Sequence, residues 1–416
     1  MSFVDRYSPM KFPILLPLFA AAVAGAAEPP VPKFRAVTID DKIQIGYGVA
    51  VADVNGDGKP DILLADKRQI VWYENPGATQ PASWRKHVIA ENLTEHDNVC
   101  IAAQDIDGDG KCEIAVGAEW NPGDTEKSGA VFYLIPPADR TQRWEPVKFP
   151  SVEPTTHRMK WMELEDGTWG LVVVPLHGRG NKNGEGAPVK VLLYHPPAQI
   201  NDPKGEWKPD LIDNTMHMTH NFTRLSPPSG VAKADSLILG GKEGLAILRY
   251  DGGKWVRLAP PVPSGESAGV GEVRLGSLGT DAQFITAVEP MHGNQLVAYV
   301  SQKSADSPTK VLRYLLTDHL AEGHALACGD LLGTKSDQIV VGWRGKAGAP
   351  ASTTGVAVWT SLDATGDKWR ETVIDPEGMA CEDLVLADLD GDGKLDIVAS
   401  GRATKNVKIY FNETGR

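Results

Sequence analysis

Short apolar runs recur along nearly the whole chain, and Gly, Pro, Asn or Asp bounds almost every one. In the segments "GYGVAVAD", "DILLAD", "QIVWYENPG" and "WRKHVIA" the apolar positions alternate or run together over strand lengths, with turn residues between them. The same order returns as "NVCIAAQD", "EIAVGA", "AVFYLIPPAD" and "RWEPVKFP", and again as "HRMKWMEL", "WGLVVVPLHG", "VKVLLYHPP" and "EWKPDLID". Four further copies have second strands "SLILGG", "QFITAVEP", "QIVVGWRG" and "DIVASG". No amphipathic helical period competes with this pattern. The seventh copy ends before its fourth strand, and the missing piece is "KFRAVTID", Lys33–Asp40, ahead of the first copy. Seven four-stranded units, the last completed from the N-terminus, predict an all-β fold: a closed seven-bladed β-propeller over residues 28–416, with no exposed sheet edge.

Three copies carry an acidic phrase between their first and second strands: "DVNGDGKPD" from Asp53, "DIDGDGKCE" from Asp105 and "DLDGDGKLD" from Asp388. Eleven carboxylates crowd into these turns and repel one another unless a cation compensates. The side chains of Asp53, Asn55, Asp57 and Asp61, with the Lys59 carbonyl, fall at alternate positions of a tight loop. Asp105, Asp107, Asp109 and Glu113 with Lys111, and Asp388, Asp390, Asp392 and Asp396 with Lys394, repeat the arrangement. Hard oxygen donors at this spacing suit calcium, with glycines allowing the sharp turn. An EF-hand would need flanking helices and a Glu at loop position twelve, where Leu64, Val116 and Ala399 stand instead. These residues predict up to three structural calcium ions. The corresponding turns of copies three to six, "ELEDGTWG", "SPPSGVAKADS", "GSLGTDAQ" and "GDLLGTKSD", lack the full ladder.

On these motifs the chain resembles the calcium-binding propeller family named for FG-GAP or VCBS repeats, found in integrin α-chains and many exported bacterial proteins. The phrases "GYGVAVADVNGDGKPD" and "HDNVCIAAQDIDGDGKCE" also resemble the propeller portion of fungal aldos-2-ulose dehydratases. The cupin domains of those proteins are not read here, so the resemblance does not imply isomerase activity.

Composition narrows the picture further. With 43 Gly and 30 Pro in 416 residues the chain suits turns better than helices, and a net charge of −12 argues against a nucleic-acid partner. A basic residue, an apolar run from Phe12 to Ala24 and the small residues before "EPP" predict a signal peptide over residues 1–27 and a secreted or periplasmic protein. That run is too short for a membrane span. The four Cys (Cys100, Cys112, Cys328 and Cys381) are expected as buried thiols, and the protein as a monomer.

Calcium in the turns would be structural, so chemistry is sought on the opposite face, where first strands begin and second strands end. His157, His220 and His324 occupy one slot, six residues before the anchor of their copies; Tyr47 and Glu382 fill it in copies one and seven. His96 lies just above it in copy two. Glu119, His177, Lys242, His292, Arg344 and Arg402 stand at second-strand exits. Six of the ten His therefore converge on one rim. Imidazoles, a Tyr and cations suit proton abstraction beside a carbonyl, with the cations holding the enolate. No Ser stands in a strained nucleophile turn, so a hydrolase triad is not indicated. The expectation is a carbohydrate lyase or dehydratase acting on a poly- or oligosaccharide or a keto-sugar, with His157, His220, His324, Tyr47, His177 and His292 as its catalytic set. Lys242, Arg344, Arg402 and Glu119 would bind substrate, with Trp120 and Trp343 as exposed stacking surfaces. Zinc or another divalent ion held by several of these His is a further option. The competing expectation is an adhesion module that binds a sugar or protein at the same rim without turnover. Replacing His220 is expected to abolish turnover without unfolding the protein.

Overall fold

A computed structural model describes residues 28–415 apart from 78–82, 226–235, 259–268, 280–281, 305–306, 347 and 349–352. The segment expected as a signal peptide, and most of the fourth copy's degenerate turn, lie outside the described residues. Among the described residues twenty-eight strands form seven four-stranded antiparallel sheets. Blade 1 comprises β2 (Gly48–Ala52), β3 (Asp61–Ala65), β4 (Gln69–Glu74) and β5 (Arg85–Glu91). Blades 2 to 6 follow in the same order over 100–148, 156–213, 219–258, 273–317 and 323–375. Among the described residues none belongs to an α-helix, and none forms a helix long and apolar enough to cross a membrane.

Seven inner strands ring the channel: β2, β6 (Cys100–Gln104), β10 (Thr156–Glu163), β14 (Thr219–Leu225), β18 (Val273–Leu278), β22 (Gly323–Gly329) and β26 (Cys381–Ala387). Each packs on the next, and β26 packs on β2. The second strands are buried on both faces, as "DILLA" in β3 shows, because neighbouring blades cover them. Seven apolar clusters fill the seven blade-to-blade interfaces. Trp72, Phe132 and Trp144 seal blades 1 and 2, while Trp161, Tyr194 and Trp207 seal blades 2 and 3.

Closure follows the expected route. β1 (Phe34–Asp40) pairs antiparallel with β28 (Asn406–Asn412), which continues through β27 (Asp396–Gly401) to β26. The seam is tied beyond the ladder: Glu413 N–H donates to the Lys33 carbonyl at 2.8 Å, and Arg35 pairs with Glu413 at 2.9 Å. Removing residues 28–40 would strip β28 of its partner and uncover the apolar contacts of Ile39 and Phe411. The expected outcome is aggregate in place of the parent's peak on size-exclusion chromatography. A variant lacking only 28–32 should elute like the parent, and normal elution of the longer deletion would refute closure by β1.

All four cysteines are free. Three are buried as expected, whereas Cys328 is half-buried, because its strand ends at a surface turn.

Candidate functional site

The three acidic turns join inner strands to second strands on one face of the disc. Asp53, Asp105 and Asp388 accept the N–H groups of Gly56 and Gly58, Gly108 and Gly110, and Gly391 and Gly393. Gly391 and Gly393 reach φ of 74° and 83°, which only glycine adopts freely. The next ligand candidates close one-residue turns: Asn55 accepts from Asp57, Asp107 from Asp109 and Asp390 from Asp392. The last carboxylate of each loop is buried and ties the loop to its blade. Asp61 accepts from Val54 and Asn75, Asp396 from Leu389 and Asn412, and Glu113 from Ile106. Burial pushes Asp61 and Glu113 up to about 7 and Asp396 to about 6. Oxygens of Asp105, Asp107 and Glu113 lie within 4.8 Å of one another, as do those of Asp388, Asp390 and Asp396. In the first loop the Lys59 ammonium takes a cation's place, 2.6 Å from Asp57 Oδ2; Lys111 stands 3.7 Å from Asp109. The all-oxygen donor set, and carboxylates that burial drives toward protonation, fit a calcium ion.

On the opposite face a backbone irregularity builds the histidine cluster. The first-to-second-strand ladder shifts register between Thr156 and Arg158, Thr219 and Phe222, Gly323 and Ala325, and Cys381 and Asp383. The slot residues His157, His220, His324 and Glu382 all sit in these bulges. A bulge re-aims a side chain that regular pleating would send into a blade interface, and here it sends four toward the channel mouth. His292 arrives differently, from the loop after the second strand of blade 5, with φ of 52°; Gly271 lets that loop pass close, because a Cβ there would lie 3.2 Å from His292 N.

The rings of His220, His292 and His324 stand 4.5–5.3 Å apart between centroids, and one nitrogen from each lies within 4.8 Å of the others. Nε2 of His220 and Nε2 of His292 approach to 2.6 Å. His220 Nδ1 faces Glu272 at 3.1 Å, and His324 Nδ1 donates to the Glu382 carbonyl at 2.6 Å. Both rings are thereby set to present Nε2 to the common volume. Burial lowers the imidazoles below their usual range, His292 to about 2, so the cluster is neutral at neutral pH. Burial pushes Glu272 up, but its contact with His220 and the Arg274 guanidinium outweigh this and hold it at about 2. Arg344 and Arg402 converge on Glu382 at 3.0 Å, beside His324.

The other expected site residues divide. His157 packs against His220, with centroids 4.6 Å apart, but both its nitrogens are engaged: Nδ1 donates to the His220 carbonyl and Nε2 accepts from Arg158. Its ring braces the cluster. Tyr47 is buried beneath Arg402, donates to Asp97 at 3.3 Å, and burial pushes its hydroxyl up to about 12. His177 is buried at the junction of blades 3 and 4, where its backbone N–H and carbonyl engage Thr155. Lys242 turns away to the Asn183 carbonyl, and Glu119 pairs with His96 at 2.6 Å. Three expectations are corrected. Trp120 is half-buried with one face stacked on His157, and Trp343 is half-buried against Gly355 and the interface of blades 5 and 6, so neither is an exposed platform. His220, expected off the core, is fully buried with Glu272 as its partner, so removing it takes one of three partners from a buried carboxylate.

Sequence reasoning passed over Glu272, Arg158, Lys160 and Arg274. Glu272 holds the slot of copy five, where the degenerate turn "GSLGTDAQ" gave no firm anchor from which to count back.

Residues 128–302 match the family described as the β-propeller domain of aldos-2-ulose dehydratase, a range that includes His157, His220, Glu272 and His292. Residues 46–116, with the first two acidic loops, match the FG-GAP-like repeat. A curated relative, the aldos-2-ulose dehydratase of Phanerodontia chrysosporium, is 25% identical over 359 residues; the alignment takes in 79% of this chain and 37% of that protein. Two crystal structures of BBS1N in complex with ARL6DN, soaked with mercury or lead, share the fold with TM-scores of 0.52 at 13% and 12% identity. They cover 92% and 94% of this chain, and 97% and 98% of theirs. The chain is thus a seven-bladed β-propeller that carries FG-GAP-like repeat sequence and is similar, through its middle blades, to the propeller domain of aldos-2-ulose dehydratases.

Proposed function

We propose that this propeller acts on carbohydrate as a lyase or dehydratase, by β-elimination at the His220–His292–His324 cluster. The observation that carries this reading is the line from the Glu272 carboxylate through His220 to His292 at the channel mouth, with contacts of 3.1 and 2.6 Å. His292 is the half-buried member, so it meets substrate. A proton taken from the carbon beside a sugar carbonyl onto His292 drives its Nε2 proton onto His220 Nε2. The positive charge then rests beside Glu272, which compensates it. The electron pair of the broken C–H bond forms the enolate and then the C=C bond as the β C–O bond breaks. Tyr47, which keeps its proton at neutral pH, would protonate the departing oxygen, so the second product is water for a dehydratase or an alcohol for a lyase. Arg344 and Arg402, fixed on Glu382, bring positive charge near the enolate.

His220, His292 and His324 also form a donor set for zinc or a similar divalent ion. They are three neutral imidazoles, with Glu272 and the Glu382 carbonyl as outer partners. An ion held there would supply Lewis-acid polarisation of the sugar carbonyl. The acidic loops of blades 7, 1 and 2 would hold calcium structurally, in a protein exported by its leader.

The test is to incubate the protein with uronic-acid polysaccharides and with 2-keto and 3-keto sugars, following ultraviolet absorbance for a conjugated C=C. Absorbance should rise with at least one of them. Phenanthroline in excess calcium separates a transition-metal requirement from the structural ions: a lost signal assigns the ion, and a retained one assigns the imidazole relay. Saccharide binding with no absorbance change from any of these substrates would replace this reading with the adhesion module.

A further inference from the structure

The inner strands surround a cavity of about 360 Å³, lined by Arg158, Lys160, Asn221, Arg274, Asp383 and the strand residues around them. Arg158 and Lys160 are two residues apart on β10, so both side chains leave the same face of the strand. Their charges are not spent within the protein. Arg158 is buried; Nη1 bonds His157, and Nε has no hydrogen-bond partner. The Lys160 ammonium lies 5.8 Å from the Phe222 ring, and among the described residues neither it nor Arg158 forms an ion pair with a carboxylate. The carboxylates nearby are committed elsewhere. Glu272 is held by Asn221 at 2.6 Å, Arg274 at 3.4 Å and His220. Asp383 accepts the backbone N–H groups of Val49 and Leu384. Three cations thus face two carboxylates that already have partners.

Arg158 is buried and Lys160 half-buried, and a cavity that retains two such cations without a carboxylate partner is shaped for a negative charge from outside. We propose that the channel cavity is an anion site, in which Arg158 and Lys160 hold the oxyanion of a carboxylate or phosphate group. The volume lies at the small end of ligand pockets, which run from about 300 to 1,000 Å³, so it admits a free ion or the acidic end of a sugar. Burial and the neighbouring Arg274 and Arg158 lower Lys160 to about 7 against the pull of Asp383 and Glu272. An arriving anion favours the ammonium form, so binding tightens as pH falls through 7. The site is independent of the elimination reading, since a non-catalytic propeller could hold it equally well.

The experiment is titration calorimetry on the full chain with inorganic phosphate, acetate, glucuronate and, as a neutral control, glucose, at constant ionic strength. Phosphate and the carboxylates should bind, up to about tenfold more tightly at pH 6 than at pH 8, and Lys160→Met should weaken them about tenfold at pH 6. Glucuronate binding well above acetate assigns the site to an acidic sugar; equal binding of acetate and phosphate assigns it to free anions. Melting temperature supplies a second readout. In anion-poor buffer Lys160→Met should melt above the parent by a few degrees, because a half-buried charge with no carboxylate partner is gone. No binding by the parent, unchanged affinity in the variant, or a lowered melting temperature would each overturn the proposal.

Discussion

Removing calcium should lower the melting temperature by roughly 10 °C. An ion present at a hundred times its dissociation constant stabilises by about 2.7 kcal/mol, so three loops contribute about 8 kcal/mol. The roughly 350 described residues have an unfolding entropy near 0.7 kcal/mol/K. The effect should depend on pH in a definite direction. Asp61, Glu113 and Asp396 are raised in the folded, ion-free protein to about 7, 7 and 6. A raised carboxylate favours folding at low pH, and that contribution is lost as pH rises through the folded value. The chelated protein therefore weakens from pH 5 to pH 8, whereas the loaded protein, whose carboxylates stay ionised on the metal, does not. Calorimetry should find the gap between calcium and chelator widest at pH 8 and narrow at pH 5. Asp390→Ala should remove part of the gap, while Asp166→Ala, in a turn where the carboxylate only accepts from Thr168, should leave it intact. One melting temperature with and without chelator would refute calcium in these loops.

The fold was legible because a propeller writes itself in repeats. Strand order, blade count and the missing fourth strand supplied by Lys33–Asp40 all follow from local periodicity, and the structure pairs β1 with β28 accordingly. The rim was legible only in part. Counting back from the acidic anchor placed His157, His220, His324 and Glu382 in one slot, yet it could not show that a bulge turns each toward the channel. Nor could it separate His157, whose two nitrogens are engaged, from His220, whose Nε2 meets His292. Glu272 escaped because its turn had lost the anchor. Arg158 and Lys160 look like ordinary polar positions of an amphipathic strand, and only closure of the ring places that face in a channel instead of solvent. Trp120 and Trp343 misled for the converse reason: beside a surface loop a Trp reads as exposed, while here His157 and Gly355 cover them.

The sharpest test of the site is a pair of variants that separates chemistry from support. His292→Asn should lower kcat by about 10²–10⁴, the range for a lost general acid–base group, and leave the melting temperature within a degree or two. His292 is half-buried, and its backbone at φ 52° lies where Asn is tolerated, so the replacement needs no rearrangement. His220→Ala should lose activity and stability together. The ring is fully buried, and its removal leaves Glu272 without its imidazole partner and opens a void among His157, His292 and His324. Glu272 keeps Asn221 and Arg274, so the loss should fall below the about 3–5 kcal/mol of a fully unpaired buried charge. Adding Glu272→Gln to His220→Ala should restore part of that stability, because the charge is gone, and none of the activity. Activity retained in His292→Asn would place the reacting group elsewhere on the rim. A His220→Ala protein as stable as its parent would mean that Glu272 draws its compensation from Asn221 and Arg274 alone, and that the imidazole line does not hold the charge during turnover.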